Sequence, residues 1–275
     1  MENTPSPRKP WIALLLSIAQ PTLGQIYNGQ VAKGLCFALL SVLALPICGY
    51  FRLFNNFSSM LVVVTPAMAL WIYLIVDSYA TAKKLRGFVP TRWNRWYIYV
   101  VFSIVMQLVG EAERSLVTSY SRAFKIPSSA MSHTLESGDD IVADMRAYQN
   151  ASPSRGDVII FAYPKDPTKD FVKRVIGLPG ETIAIQEKQV YINGQRFTEP
   201  AGVHSDSVIH PWDNPKGYNF GPATIPDDAY FVLGDNRDYS LDSRFWGFVR
   251  REALKGKAIY IYWSSDKTRI GTLVK

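Results

Sequence analysis

Residues 155–181 read RGDVIIFAYPKDPTKDFVKRVIGLPGE. Two runs rich in Val, Ile, Phe and Tyr, DVIIFAY (157–163) and FVKRVIGL (171–178), flank a polar segment with two prolines. Apolar, β-branched runs bounded by turn formers point to strands rather than to an amphipathic helix. The reading extends outward to TIAIQEKQVYING (182–194), AYFVLGD (229–235) and AIYIYW (258–263). Asn193-Gly194, set between two such runs, is a hairpin signal because both residues tolerate the positive φ of a primed turn. Residues 112–275 are therefore expected to form a mainly β domain, with the weak stretch 113–123 continuing the helix before it.

The chain upstream has a different character. Four apolar stretches occupy residues 11–29, 34–51, 60–79 and 96–110. The first is broken by Pro21 and by polar residues, which suits an interfacial, re-entrant or short segment. Residues 1–111 are expected to be an α-helical membrane anchor of three to four segments. Composition agrees: 48% of the 275 residues are apolar and only 19% charged. Residues 1–111 carry nine Lys/Arg and three Asp/Glu, a net of +6, whereas residues 112–275 carry 21 and 20. The segment 81–95 holds Lys83, Lys84, Arg86, Arg92 and Arg95 and no acid, which marks it as cytoplasmic. The helix that follows would then deliver residues 112–275 to the far side. The basic excess thus orients a membrane protein, and nothing in it has the aromatic interleaving of a nucleic-acid site. Cys36 and Cys48 lie in one apolar stretch, and His133, His204 and His210 are scattered, so no metal or cofactor is expected.

Three polar patterns follow in order: IPSSAMSHTLESGDDIV (126–142), the stretch 155–181, and GDNRDYSLDSRFWGFV (234–249). Together, behind a membrane anchor, they closely resemble type I signal peptidases, the serine–lysine endopeptidases that remove export signals. The resemblance covers most of residues 124–263. It implies a signal-peptidase-like β fold, signal peptides of exported preproteins as partners, contact with membrane lipid, and no nucleic acid. It also implies a multi-pass protein of the cytoplasmic (inner) membrane with its catalytic domain on the extracytoplasmic side.

A serine hydroxyl needs a base to become a nucleophile, and a lysine serves only when burial keeps its amine neutral. Phe171, Val172, Val175 and Ile176 around Lys173 can supply that burial. By resemblance Lys173 is the general base and Ser240 orients it. Asp242 and Arg244 brace the loop, and Asp235, Asn236 and Arg237 are scaffold. Strand alternation puts Arg174 on the opposite face from Lys173, one cation in and one out.

The first pattern departs from the family's usual P-S-x-S-M-x-P-T-L. Ser128 falls on the position that helps form the oxyanion hole, Ala130 falls on the nucleophile, and His133 replaces a proline. Alanine cannot attack a carbonyl. If residues 126–135 are an extended active-site strand, Ser129 faces away from position 130, and Ser128 shares its face about 6–7 Å along. Ser132 also has the parity, and His133 offers a Ser–His pair. Two activities stay open: a signal-peptide-cutting protease, or a catalytically silent or Ser→Ala-trapped relative that binds such segments without cutting.

Overall fold

The computed structural model describes residues 6–198, 201–204 and 218–275. It divides into two compact units: Met1–Phe54 with Ser58–Ser119, and Asn55–Phe57 with Tyr120–Lys275.

The first unit is helical. Helix α1 (Pro10–Ala19) starts on a proline, whose fixed φ and missing N–H suit a first turn. Helix α2 (Leu23–Tyr27) is wholly buried. Helices α3 (Val31–Tyr50) and α4 (Phe57–Lys84) follow, then α5 (Trp96–Tyr120). The side chains that α3 buries are all small, at Gly34, Ala38 and Gly49, while Leu39, Leu43 and Ile47 stand exposed. Such an inverted surface suits lipid as solvent, where helices pack through small residues.

The expected three to four anchor segments reduce to two candidate spans among the described residues. Only α3, with 20 residues and a mean hydropathy of 2.1, and α4, with 28 residues and 2.2, are long and apolar enough to cross a bilayer. Helix α1 has ten residues, about half the required length. Helix α5 has the length, but its second half carries Glu111, Glu113 and Arg114.

The second unit is built on two antiparallel sheets. The larger has seven strands in the order β1-β2-β11-β3-β4-β9-β10. These are β1 (Ser121–Lys125), β2 (Asp140–Asp144), β3 (Val158–Tyr163), β4 (Asp166–Gly177), β9 (Ala229–Leu233), β10 (Val249–Arg250) and β11 (Leu254–Trp263). The smaller sheet runs β7-β6-β5-β8. Its strands are β5 (Thr182–Gln186), β6 (Gln189–Ile192), β7 (Gln195–Phe197) and β8 (Phe220–Thr224). All five strand runs read from the sequence are found here. The hairpin at Asn193-Gly194 joins β6 to β7 with φ of 51° and 79°. Strands β1, β2, β8 and β10 carry weaker signals. They are short, and three of them contain charged residues.

Strand β4 is central. It pairs with β3 on one side and β9 on the other, with Lys173 opposite Ile159 and Arg174 opposite Leu233. After β9 the chain forms a loop, residues 234–242, before the short helix Ser243–Trp246. The IPSSAMSHTL stretch is not a strand. Strand β1 ends at Lys125, and Ser129–Met131 form a single 3-10 turn. Pro127 cannot donate to a sheet ladder, and Ile126, Met131 and Leu135 fold inward as part of the core. The face parity expected for Ser128, Ser129 and Ser132 therefore does not hold.

Of the proline-rich stretch 197–228, Pro200, Pro211 and Pro215 lie outside the described residues, as does His210.

Candidate active site

A cavity of 350 Å³ opens beside β4, lined by Ser128, Ala130, Phe171, Lys173, Tyr239 and Leu241 among others. Three separate segments supply these walls: the 3-10 turn, the middle of β4, and the loop after β9. Each holds at least one residue expected from the sequence. Tyr239 and Leu241, which flank Ser240 at alternate positions, were not among them, and a period-two reading of DYSLD signals them.

Lys173 is 5% exposed, and its Nζ donates to the Val172 carbonyl at 3.0 Å. Burial pushes its pKa down from 10.5 to about 8. The pull of Asp242 and Asp235 works against this, and Arg244 adds to the lowering. A much larger share of the amine is therefore unprotonated near neutrality than for a free lysine. The Phe171 ring lies 5.5 Å from Nζ and helps wall it off.

Arg174 does point to the other face, yet it is not outward. It is 4% exposed and forked onto Asp235, with Nε to Oδ1 at 2.8 Å and Nη2 to Oδ2 at 2.6 Å. Its Nη1 donates to the Gly156 carbonyl, and the Thr134 hydroxyl donates to Asp235 at 2.5 Å. The opposite face of β4 is covered by these groups, so both neighbouring cations are buried. The two have opposite fates. Arg174 is charge-neutralised by a bidentate pair, whereas Lys173 has no carboxylate within bonding distance among the described residues.

In the loop after β9, Asp242 and Arg244 pair with each other. Arg244 Nε lies 2.8 Å from Asp242 Oδ1 and Nη2 2.9 Å from Oδ2, and Asp242 also accepts from the Gly234 amide. Arg237 Nε donates to the Gly234 carbonyl and Asn236 Nδ2 to the Ser129 carbonyl, both structural roles. Gly234 is the point of close approach. A Cβ there would lie 2.1 Å from Ser240 Oγ and 2.4 Å from the Ala130 carbonyl oxygen. Ser240 is buried, but it does not orient Lys173 by a hydrogen bond. Its Oγ has no partner among the described residues.

The remaining hydroxyls are sorted by the fold. Ser128 lines the cavity with Lys173. Ser129 is exposed, outside that lining, and its carbonyl accepts from Ser132 N. Ser132 Oγ donates to Glu136 at 2.8 Å, which commits it elsewhere. His133 is exposed at φ 82°, a value no proline can adopt, and its amide donates to Glu136. That bond holds the Glu136 carboxyl below its usual range, with burial opposing and Ser132 and Arg269 assisting.

A family model described as signal peptidase, peptidase S26, matches residues 93–263. The chain belongs to this family. It is 38% identical over 199 residues to a probable signal peptidase I-2 of Synechocystis sp., covering 70% of this chain and 83% of that one. A signal peptidase I of Leptolyngbya laminosa is 38% identical over 164 residues, or 57% of this chain and 74% of its own. A solved signal peptidase I from Enterococcus faecalis aligns at 33% identity over 39% of this chain and 97% of its own, with a TM-score of 0.32. The matched region includes Lys173 and Ala130.

Proposed function

We propose that this chain is a membrane-bound endopeptidase of the signal peptidase I type that removes signal peptides from exported proteins. The observation that carries the reading is a buried, largely unpaired lysine amine on the wall of a cavity that Ser128 also lines. Lys173 acts as base. Ser128, the serine among the described lining residues, stands in for the nucleophile absent at Ala130. Lys173 takes the Ser128 proton as Oγ bonds to the scissile carbonyl carbon. The C–N bond then breaks and the proton passes to the leaving amine. Water, deprotonated by the same lysine, hydrolyses the resulting ester. Helices α3 and α4 anchor the protein in the cytoplasmic membrane, the basic segment 81–95 stays inside, and residues 120–275 work at the outer face.

A second reading rests on Ala130 itself. The methyl group at the family's nucleophile position leaves a site able to hold a signal-peptide segment without cutting it. Incubation with a preprotein bearing an A-x-A site separates the two. Cleavage by the unmodified chain, lost in Ser128→Ala and in Lys173→Ala, supports the protease. Cleavage appearing only in Ala130→Ser supports the binding form. Protease protection on vesicles tests the orientation, and a shielded β domain in right-side-out vesicles would overturn it.

A further inference from the structure

Tyr239 and Leu241 wall the cavity from the loop after β9, and the contacts that hold this loop therefore set the wall. Asp242 and Arg244, at the loop's C-terminal end, reach back to the Gly234 amide and the Arg237 carbonyl. On the N-terminal side the residue next to Tyr239 is Asp238, which faces a different part of the fold. Its Oδ1 lies 3.2 Å from Lys188 Nζ and 3.1 Å from His204 Nδ1, and its side chain is 9% exposed. His204 Nε2 lies 3.2 Å from the Lys188 carbonyl oxygen. Both ring nitrogens thus face acceptors, and the imidazole bonds both at once only with two N–H groups.

Lys188 belongs to the turn between β5 and β6. Glu187 and Lys188 there have φ of 47° and 68°, the left-handed region that a primed hairpin turn requires. Asn-Gly would fill such a turn without strain, as it does between β6 and β7. A Glu-Lys pair in that conformation persists only where its surroundings fix it. The fixing contacts are visible. Lys188 N donates to the Tyr218 carbonyl at 3.1 Å, its Nζ lies 4.7 Å from the Tyr218 ring centroid, and its carbonyl meets His204.

Residues 201–204 complete the connection. Val203 forms a parallel bridge with Asn236, its amide donating to the Asp235 carbonyl at 2.8 Å and its carbonyl accepting from Arg237 N at 3.0 Å. The approach is close enough that a Cβ on Gly202 would lie 2.3 Å from Arg237 Nη2. The smaller sheet's turn and the 201–204 segment therefore hold the loop a second time, through groups other than the Asp242–Arg244 brace.

We propose that Asp238, Lys188 and His204 form a clamp that positions the Tyr239–Leu241 wall of the peptide-binding cavity, coupling the smaller sheet to substrate binding. These are positioning residues, since none of the three lines the cavity. The proposal rests on the peptide-binding reading above for its functional consequence. Its structural part is separable.

The test uses the full chain in detergent micelles, labelled with 3-fluorotyrosine, with the Tyr239 ¹⁹F line assigned by its loss in Tyr239→Phe. Asp238→Asn removes the charge at the hub. Lys188→Asn removes the cation while supplying a residue that tolerates positive φ, so the turn survives even where Asp238→Asn fails to fold. The expected result is a moved or broadened Tyr239 line in the peptide-free variants, with Kd for an A-x-A signal peptide about tenfold weaker. An unmoved Tyr239 line in the folded Lys188→Asn chain overturns the clamp. A moved line with unchanged Kd overturns its role in binding. If the unmodified chain binds no such peptide, the functional reading falls and the Tyr239 line still decides the clamp.

Discussion

Replacing Lys173 with methionine tests the central electrostatic claim without requiring any catalysis. Methionine keeps nearly the same length and removes the amine. In the folded protein the Lys173 pKa is lowered from 10.5 to about 8 by burial. Between those two values the unfolded chain holds a proton that the folded chain has released. Stability must therefore rise with pH through the window from about 8 to 10.5, and below it the folded state carries the full penalty. At 1.36 kcal/mol per pKa unit the lowering corresponds to about 3 kcal/mol. Because Lys173 is 5% exposed, solvent screening discounts this little. Lys173→Met should thus be more stable than the parent at pH 7, by roughly 6–12 °C in melting midpoint for a domain of this size. The gain should vanish near pH 10.5. The assay is thermal unfolding of both proteins in detergent across pH 7–11, and the observable is the difference between the two curves. Groups common to both cancel, and the loss of the bond to the Val172 carbonyl offsets the difference without changing its slope with pH. Parallel curves would refute the claim that Lys173 is held against its charge. So would a methionine variant that loses stability equally at every pH.

Asp235→Asn strips one partner from the buried fork with Arg174 and leaves an uncompensated guanidinium, which should cost about 3–5 kcal/mol in urea or thermal unfolding. The adjacent cation gives the opposite sign, so the two variants together check that β4 carries one satisfied and one unsatisfied charge. Gly234→Ala forces a methyl against Ser240 Oγ and the Ala130 carbonyl oxygen. The backbone contact cannot yield as a side chain would, so we expect about 1–3 kcal/mol of lost stability and weakened peptide binding, read by unfolding and by titration. Ala130→Ser puts a hydroxyl on a buried residue of the cavity wall and should cost about 1 kcal/mol in the same unfolding assays, while raising any cleavage rate.

Much of the fold was legible because β runs and apolar spans have local signatures. VIIFAY, VKRVIG and AYFVL are strands whose apolar side chains have no other place to go. The Asn193-Gly194 turn follows from what those two residues tolerate. The anchor was overcounted because hydropathy alone does not weigh helix length against charge. Helix α1 is too short and α5 too charged at its end, and only the folded lengths of α3 and α4 separate them. At the site, motif order pointed to Lys173, Ser240, Asp242 and Arg244. Which serine shares a cavity with the amine was not legible.

That question belongs to tertiary structure because the answer depends on a 3-10 turn at Ser129–Met131. An isolated tripeptide has no reason to adopt that turn, and here it forms because Ile126, Met131 and Leu135 fold into the core. The sequence by itself determined that the amine and the alanine are present, since composition is independent of folding. Their pKa and company were decided by the packing of segments more than 40 residues apart. Burial sets the lysine's charge, the turn brings Ser128 to the cavity, and a clamp through Asp238 reaches it from the other sheet. Long-range contact is the one property that no local pattern of residues contains.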